Sequence, residues 1–190
     1  MKITLQYKEF TIKVFDDPSF TEESDSPTSY DYIYQPEKDK IYRPVSQHAI
    51  IVYQDNVKYA SSILLASAGA TTILSDSALI DDDNLITRCC NTIFCLTLPQ
   101  LNLNWMKEAD WATCFSIHRY QNSYIIHGET SITRIDKSGN LLWSYSGADI
   151  FVCLYEGDPF KMYDNYIALT DWNGGKYEVG YDGETISYKP

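Results

Sequence analysis

Three stretches of this chain share one plan at a spacing near forty residues, and that periodicity restricts the fold more than any other feature. They are "DDDNLITRCCNTIFCLTLPQLNLNW" (Asp81 to Trp105), "YQNSYIIHGETSITRIDKSGNLLW" (Tyr120 to Trp143) and "MYDNYIALTDWNGGKYEVGYDGETIS" (Met162 to Ser187). Each opens on a polar pair, continues as an apolar strand, turns, and returns as a second strand. Leu85 to Tyr124 is 39 positions and Tyr124 to Tyr166 is 42. Periods of this size belong to repeat arrays, because one such unit cannot bury its apolar face alone and must stack on a neighbour. In "SITRIDKSGNLLW", Ile132 and Ile135 precede a turn that Asp136, Ser138, Gly139 and Asn140 can make, since Gly and Asn tolerate the positive φ of a tight hairpin. Leu142 and Trp143 are then carried back along the sheet. Trp105 and Trp143 hold equivalent positions and are expected as buried structural indoles. The third unit has hairpin corners at Asn173-Gly174 and Asp182-Gly183 but no Trp at its end.

Strand, turn "D-K-S-G-N", strand and Trp together resemble a blade of the PQQ-type (quinoprotein-like) β-propellers, as does "LITRCCNTIFCLTLPQLNLNW". The resemblance covers residues 80 to 190 and implies a fold. Full propellers have four to eight blades, so three units cannot close a ring. The expected architecture is therefore all-β: one domain over 1–190, an open β-sandwich or partial propeller. Residues 81–190 supply three blade-like antiparallel units, and residues 1–80 supply covering strands and an acidic loop. The chain as a whole is also similar to small bacterial proteins that accompany secreted-toxin genes. That similarity implies an immunity role and assigns no site residues.

Within the first eighty residues, Ile3 to Phe15 alternates apolar and polar residues and reads as strand. Asp16 to Gln35 is rich in Asp, Ser, Pro and Glu and reads as a long surface loop, of a length usually functional or mobile. "HAIIVYQ", His48 to Gln54, is a strand. "YASSILLASAGATTIL", Tyr59 to Leu74, reads as two strands around a turn at Gly69.

Charge narrows the class of partner. Fifteen basic and 26 acidic residues leave a formal charge of -11, which repels nucleic-acid phosphates and anionic lipid and admits a basic protein. The five cysteines, Cys89, Cys90, Cys95, Cys114 and Cys153, have no metal-ligand spacing and mostly sit among apolar neighbours. Free core thiols imply a reducing compartment. No apolar run approaches a transmembrane helix, and the N-terminus lacks the pattern of a signal peptide. The expectation is a cytoplasmic protein without cofactor or metal.

Candidate site residues follow from residue chemistry. His127, Gly128 and Glu129 bring a base and a carboxylate together, on one face if the segment is a strand, and Gly128 marks a bulge or close backbone approach. No nucleophile motif accompanies them. Asp81, Asp82 and Asp83 form an acidic knob without calcium-loop spacing. Trp111 lies in a connecting segment and suits an interface anchor. The loop residues Asp16, Asp17, Phe20, Glu22, Glu23, Asp25, Tyr30 and Asp31 interleave acids with aromatics, as a surface for a basic partner would.

These features point to a non-catalytic protein-binding module, in its sharper form an immunity protein whose acidic surface occludes a bacterial toxin. Two rivals stand beside it. One is an enzyme or carbohydrate-binding protein using the His127 and Glu129 face; the other is a scaffold that self-associates through open sheet edges. The expected state is a monomer or weak homo-oligomer.

Overall fold

Alternation over the first fifteen residues becomes a hairpin: β1 (Lys2–Tyr7) and β2 (Phe10–Asp16) meet at Lys8, whose φ is 50°. The computed structural model describes residues 2–22, 28–37, 43–153 and 157–190. They gather into two compact units, Met1–Glu108 and Ala109–Pro190. Among the described residues no helix is long and apolar enough to cross a membrane.

The N-terminal unit holds two sheets. Its first adds β3 (Tyr32–Tyr34), β4 (Ser46–Gln54) and β5 (Val57–Ala66) to the opening hairpin, in the order β1-β2-β4-β5-β3. All pairs are antiparallel except β3 with β5. Asp55 and Asn56 turn β4 into β5 with φ of 50° and 66°, the left-handed values that Asp and Asn accept more readily than most residues. The second sheet runs in chain order through β6 (Ala78–Asp81), β7 (Asn84–Cys89), β8 (Thr92–Thr97) and β9 (Leu103–Glu108). Ile12, Val14, Ile50, Val52 and Leu64 of the first sheet share one core with Leu85, Phe94 and Leu96 of the second. Each such side chain, fully buried, contributes about 1.5–3 kcal/mol.

The expected pair of strands over Tyr59 to Leu74 is one strand. β5 runs unbroken to Ala66, and residues 67–77 are irregular. Side chains satisfy that backbone in place of a ladder. The Ile73 N–H donates to the Asp16 carboxylate (3.2 Å), the Thr71 N–H to Ser46 Oγ (2.8 Å) and the Leu74 N–H to Ser77 Oγ (2.7 Å). Local hydrogen bonds of this kind compete directly with strand pairing.

The C-terminal unit holds two more four-stranded meanders. One is β10 (Cys114–Tyr120), β11 (Ser123–Gly128), β12 (Ile132–Asp136) and β13 (Leu141–Tyr145). The other is β14 (Phe160–Met162), β15 (Tyr166–Thr170), β16 (Lys176–Gly180) and β17 (Thr185–Lys189). Ile125, Ile132, Phe151, Phe160, Ile167, Leu169, Tyr177 and Val179 form the core between them. The opposite face of the last sheet is polar. One cross-strand row there reads Lys161, Ala168, Glu178 and Ser187, and a second reads Thr170, Lys176 and Lys189.

The architecture is thus all-β, with three blade-like antiparallel sheets and an N-terminal covering sheet, and the four sheets do not close. Each blade carries a strand ahead of the recurring sequence: β6, β10 and β14 precede the stretches that repeat. The two indoles differ from expectation. Trp105 and Trp143 are half-buried on the outermost strands β9 and β13, and the middle strands fill the cores. An outermost strand has a neighbour on one edge only, and both are offset by bulges, at Cys95/Leu96 and Arg134/Ile135. Trp143 nevertheless ties the sheets of its unit together: its Nε1–H donates to the Tyr181 carbonyl (3.0 Å), and its ring lies against Gly183.

Candidate protein-binding surfaces

The acidic segment after β2 spends most of its recognition chemistry on its own unit. Phe20 is buried against Ile63 and Leu65 on the second face of the first sheet, with Tyr30 edge-on to it at 5.5 Å. Asp17 is buried and accepts hydrogen bonds from the hydroxyls of Ser19 (2.5 Å), Thr28 (3.1 Å) and Tyr30 (2.7 Å). Burial raises its pKa, and those donors outweigh burial, so the carboxyl titrates below its ordinary value. Asp16 lies 2.8 Å from Nδ1 of the buried His48, which burial holds neutral down to about 4 against the pull of that carboxylate. Asp31 accepts from the Ser61 N–H (2.7 Å) and hydroxyl (2.8 Å) and lies 3.8 Å from Lys58. Glu22 is exposed, and Glu23 and Asp25 lie outside the described residues. The described part of the segment is therefore a cover over a sheet, and Phe20 and Tyr30 are its anchors to that sheet rather than to a partner.

Asp81, Asp82 and Asp83 sit at the β6–β7 hairpin. Asp81 is buried at the end of β6, Asp82 makes the corner with φ of 53°, and both Asp82 and Asp83 are exposed. Asp83 accepts from the Tyr7 hydroxyl (2.5 Å) and Lys8 Nζ (3.0 Å), and these bonds hold its carboxyl below the ordinary range. At this exposure the pair contributes little to stability.

His127 and Glu129 do not face each other across an open strand. β11 ends at Gly128, so Glu129 lies in the bend beyond it. His127 is buried, stacked on Phe160 (4.8 Å, 11°) and edge-on to Phe115 (5.2 Å), and its Nε2–H donates to the Phe151 carbonyl (3.2 Å). Desolvation lowers its pKa to about 4. Gly128 is a close approach: a Cβ there would collide with the Asp110 carboxylate and stand 2.7 Å from the Ser131 carbonyl, opposite a bulge at Cys114/Ser116.

That carboxylate organises the surface in front of His127. Asp110 is buried and accepts hydrogen bonds from the N–H groups of Ala112 and Thr113 and from both the N–H and hydroxyl of Thr130 and Ser131. Asp171 does similar work, accepting from the N–H groups of Asn173 and Gly175 and from the Tyr177 hydroxyl. A Cβ on Gly175 would meet Asp171 at 2.7 Å. Backbone bonds then join the four loops of this end in a row. The Glu129 N–H donates to the Thr113 carbonyl, the Phe151 N–H to Glu129, and the Trp172 N–H to Ile150; Asn173 Nδ2 donates to Asp149. Trp111, 82% exposed, and Trp172, 40% exposed, project from this framework.

Of the residues singled out in the sequence, Trp111, His127 and Glu129 therefore meet at one end of the C-terminal unit. The acids of the first eighty-three positions belong to the other unit. The sequence gives no site role to Trp172, which lies outside the repeat register, or to Asp110 and Asp171. The recurring Asp-Trp dipeptide at 110–111 and 171–172 was the signal available. At the opposite end of the C-terminal unit, a concavity of about 370 Å³ is lined by Tyr120, Tyr181, Ile186 and the carboxylates of Asp164, Asp182 and Glu184. Tyr120 and Tyr181 stack there at 3.8 Å.

No protein-family model matches the chain. No curated protein matches it either. Solved structures do. The AfRom2 CNH domain aligns over 100% of this chain and 54% of its own at 11% identity, with a TM-score of 0.52. BamB from Moraxella catarrhalis aligns over 74% of this chain and 42% of its own at 9% identity, with a TM-score of 0.50. Both are β-propeller proteins, BamB of the PQQ-like kind, and at these identities the likeness is one of fold. The chain spans about half the length of the structures it matches.

Proposed function

We propose that this chain is a protein-binding module for a basic partner and, more specifically, an immunity protein that covers the cationic cleft of a bacterial toxin. The observation that carries the reading is a formal charge of -11 combined with exposed indoles on loops held rigid by buried carboxylates. Electrostatic complementarity steers such encounters and selects partners, while the aromatic anchors supply buried contact. Loops already fixed by hydrogen bonds lose little further entropy on binding. The reading sits with a reducing, cytoplasmic setting, where five free thiols persist.

Co-expression with the product of the neighbouring gene tests it. The expected result is a complex that co-purifies, weakens as ionic strength rises, and relieves toxicity in cells. No complex and no relief of toxicity would discard the reading.

A further inference from the structure

We propose that the loop end of the C-terminal unit is the docking surface for an arginine-bearing face of a protein partner, with Trp111 and Trp172 as its anchors. The proposal rests on the protein-binding reading above and assigns it a place and a chemistry. Four loops build the surface: residues 109–113, 128–131, the described residues of the β13–β14 connection (146–153 and 157–159), and 171–175. These residues include Asp110, Glu129, Asp149, Asp158 and Asp171, and no Lys, Arg or His. Asp110 and Asp171 are buried and occupied as loop staples, whereas Glu129 and Asp149 are half-exposed and Asp158 is exposed. The nearest lysines in sequence are Lys107, on β9 of the other unit, and Lys161 and Lys176, on the outward face of the last sheet. The loops themselves therefore carry charge of one sign only, around two indoles.

That pairing discriminates between the two common cations. A guanidinium is planar and weakly hydrated; it can lie flat on an indole while its edge forks to a carboxylate. An ammonium is compact and strongly hydrated and gains less from the same ring. Anionic membrane surfaces are repelled by the same carboxylates. The hydrogen bonds from Thr113 to Glu129, Phe151, Ile150 and Trp172 keep the indoles and acids in fixed relation before a partner arrives.

Calorimetric titration of the whole protein with an oligo-arginine peptide and an oligo-lysine peptide of equal length tests the proposal. The arginine peptide is expected to bind about tenfold more tightly at the same ionic strength. Trp111→Ala and Trp172→Ala are each expected to weaken it about tenfold and to erase the preference. Glu129→Gln with Asp149→Asn should weaken both peptides, and Asp82→Asn in the other unit should weaken neither. Equal affinity for the two peptides, binding undisturbed by the double tryptophan variant, or a neutral oligosaccharide binding in their place would overturn it. If a basic partner co-purifies and the double tryptophan variant leaves that complex intact, the surface is wrong while the binding reading stands. If neither peptide nor partner binds, both fall.

Discussion

Burial against Phe115 and Phe160 pulls the His127 imidazole down to about 4 from its usual 6.5, so the ring is neutral in the fold at physiological pH. An unfolded chain takes up that proton at higher pH than the folded one. The contribution is therefore fully present above about 6.5 and is lost as pH falls toward 4. One such group accounts for about 3 kcal/mol across that window. Urea unfolding of the native chain and a His127→Phe variant at a series of pH values should show the native stability falling more steeply, by an amount of that order, between those limits. Parallel curves would refute the assignment. In the sequence, His127 with Glu129 resembled a base with its orienter. Gly128 could be read locally as a tight approach, but the rings that desolvate His127 come from residues 115 and 160, and no local pattern announces them. The exposure of Trp111 was legible because it stands in a connection, outside the alternating strands.

Among elements, the hairpins were the most readable part of the molecule. Gly139, Gly174 and Gly183 take φ of 81°, 90° and 90°, at the corners where Asp, Asn and Gly cluster. Gly174 and Gly183 share a backbone conformation and differ in surroundings. A Cβ on Gly174 meets nothing within 4 Å, while one on Gly183 would stand 2.8 Å from Trp143 Cγ. Gly174→Ala should cost about 1 kcal/mol, the strain of the left-handed backbone. Gly183→Ala should cost about 1–3 kcal/mol more, because the indole must move. Thermal unfolding of the two variants measures the difference, and equal losses would mean that Trp143 does not press on that corner. Residues 67–77 were misread for the converse reason: their backbone is held by Asp16, Ser46 and Ser77 side chains, partners that hydrophobic periodicity does not register.

Across the whole molecule, the blade-like sheets were legible and the covering sheet less so. The repeats announce themselves by period, whereas β3 has three residues and pairs in parallel with a strand thirty positions later. The outward face of the last sheet presents Lys161, Lys176, Glu178 and Lys189, which a further apolar layer would have to desolvate. In the first sheet, Phe20 and Tyr30 cover Ile63 and Leu65 on the face away from the core. Light scattering over a concentration series should accordingly return the mass of one chain throughout. A mass that climbs with concentration would favour the self-associating scaffold instead.

The parallel pairing of Tyr32, Ile33 and Tyr34 with Ser62, Ile63 and Leu64 also sets an order of events. On a ribosome, the acidic stretch emerges before the strand it lies against has been made. It must wait, negatively charged and undocked, until Val57 to Ala66 has left the exit tunnel and paired with its antiparallel neighbour. The cover is laid down after the wall it protects, so translation that pauses between those two points would leave a nascent chain with this acidic segment open to proteases.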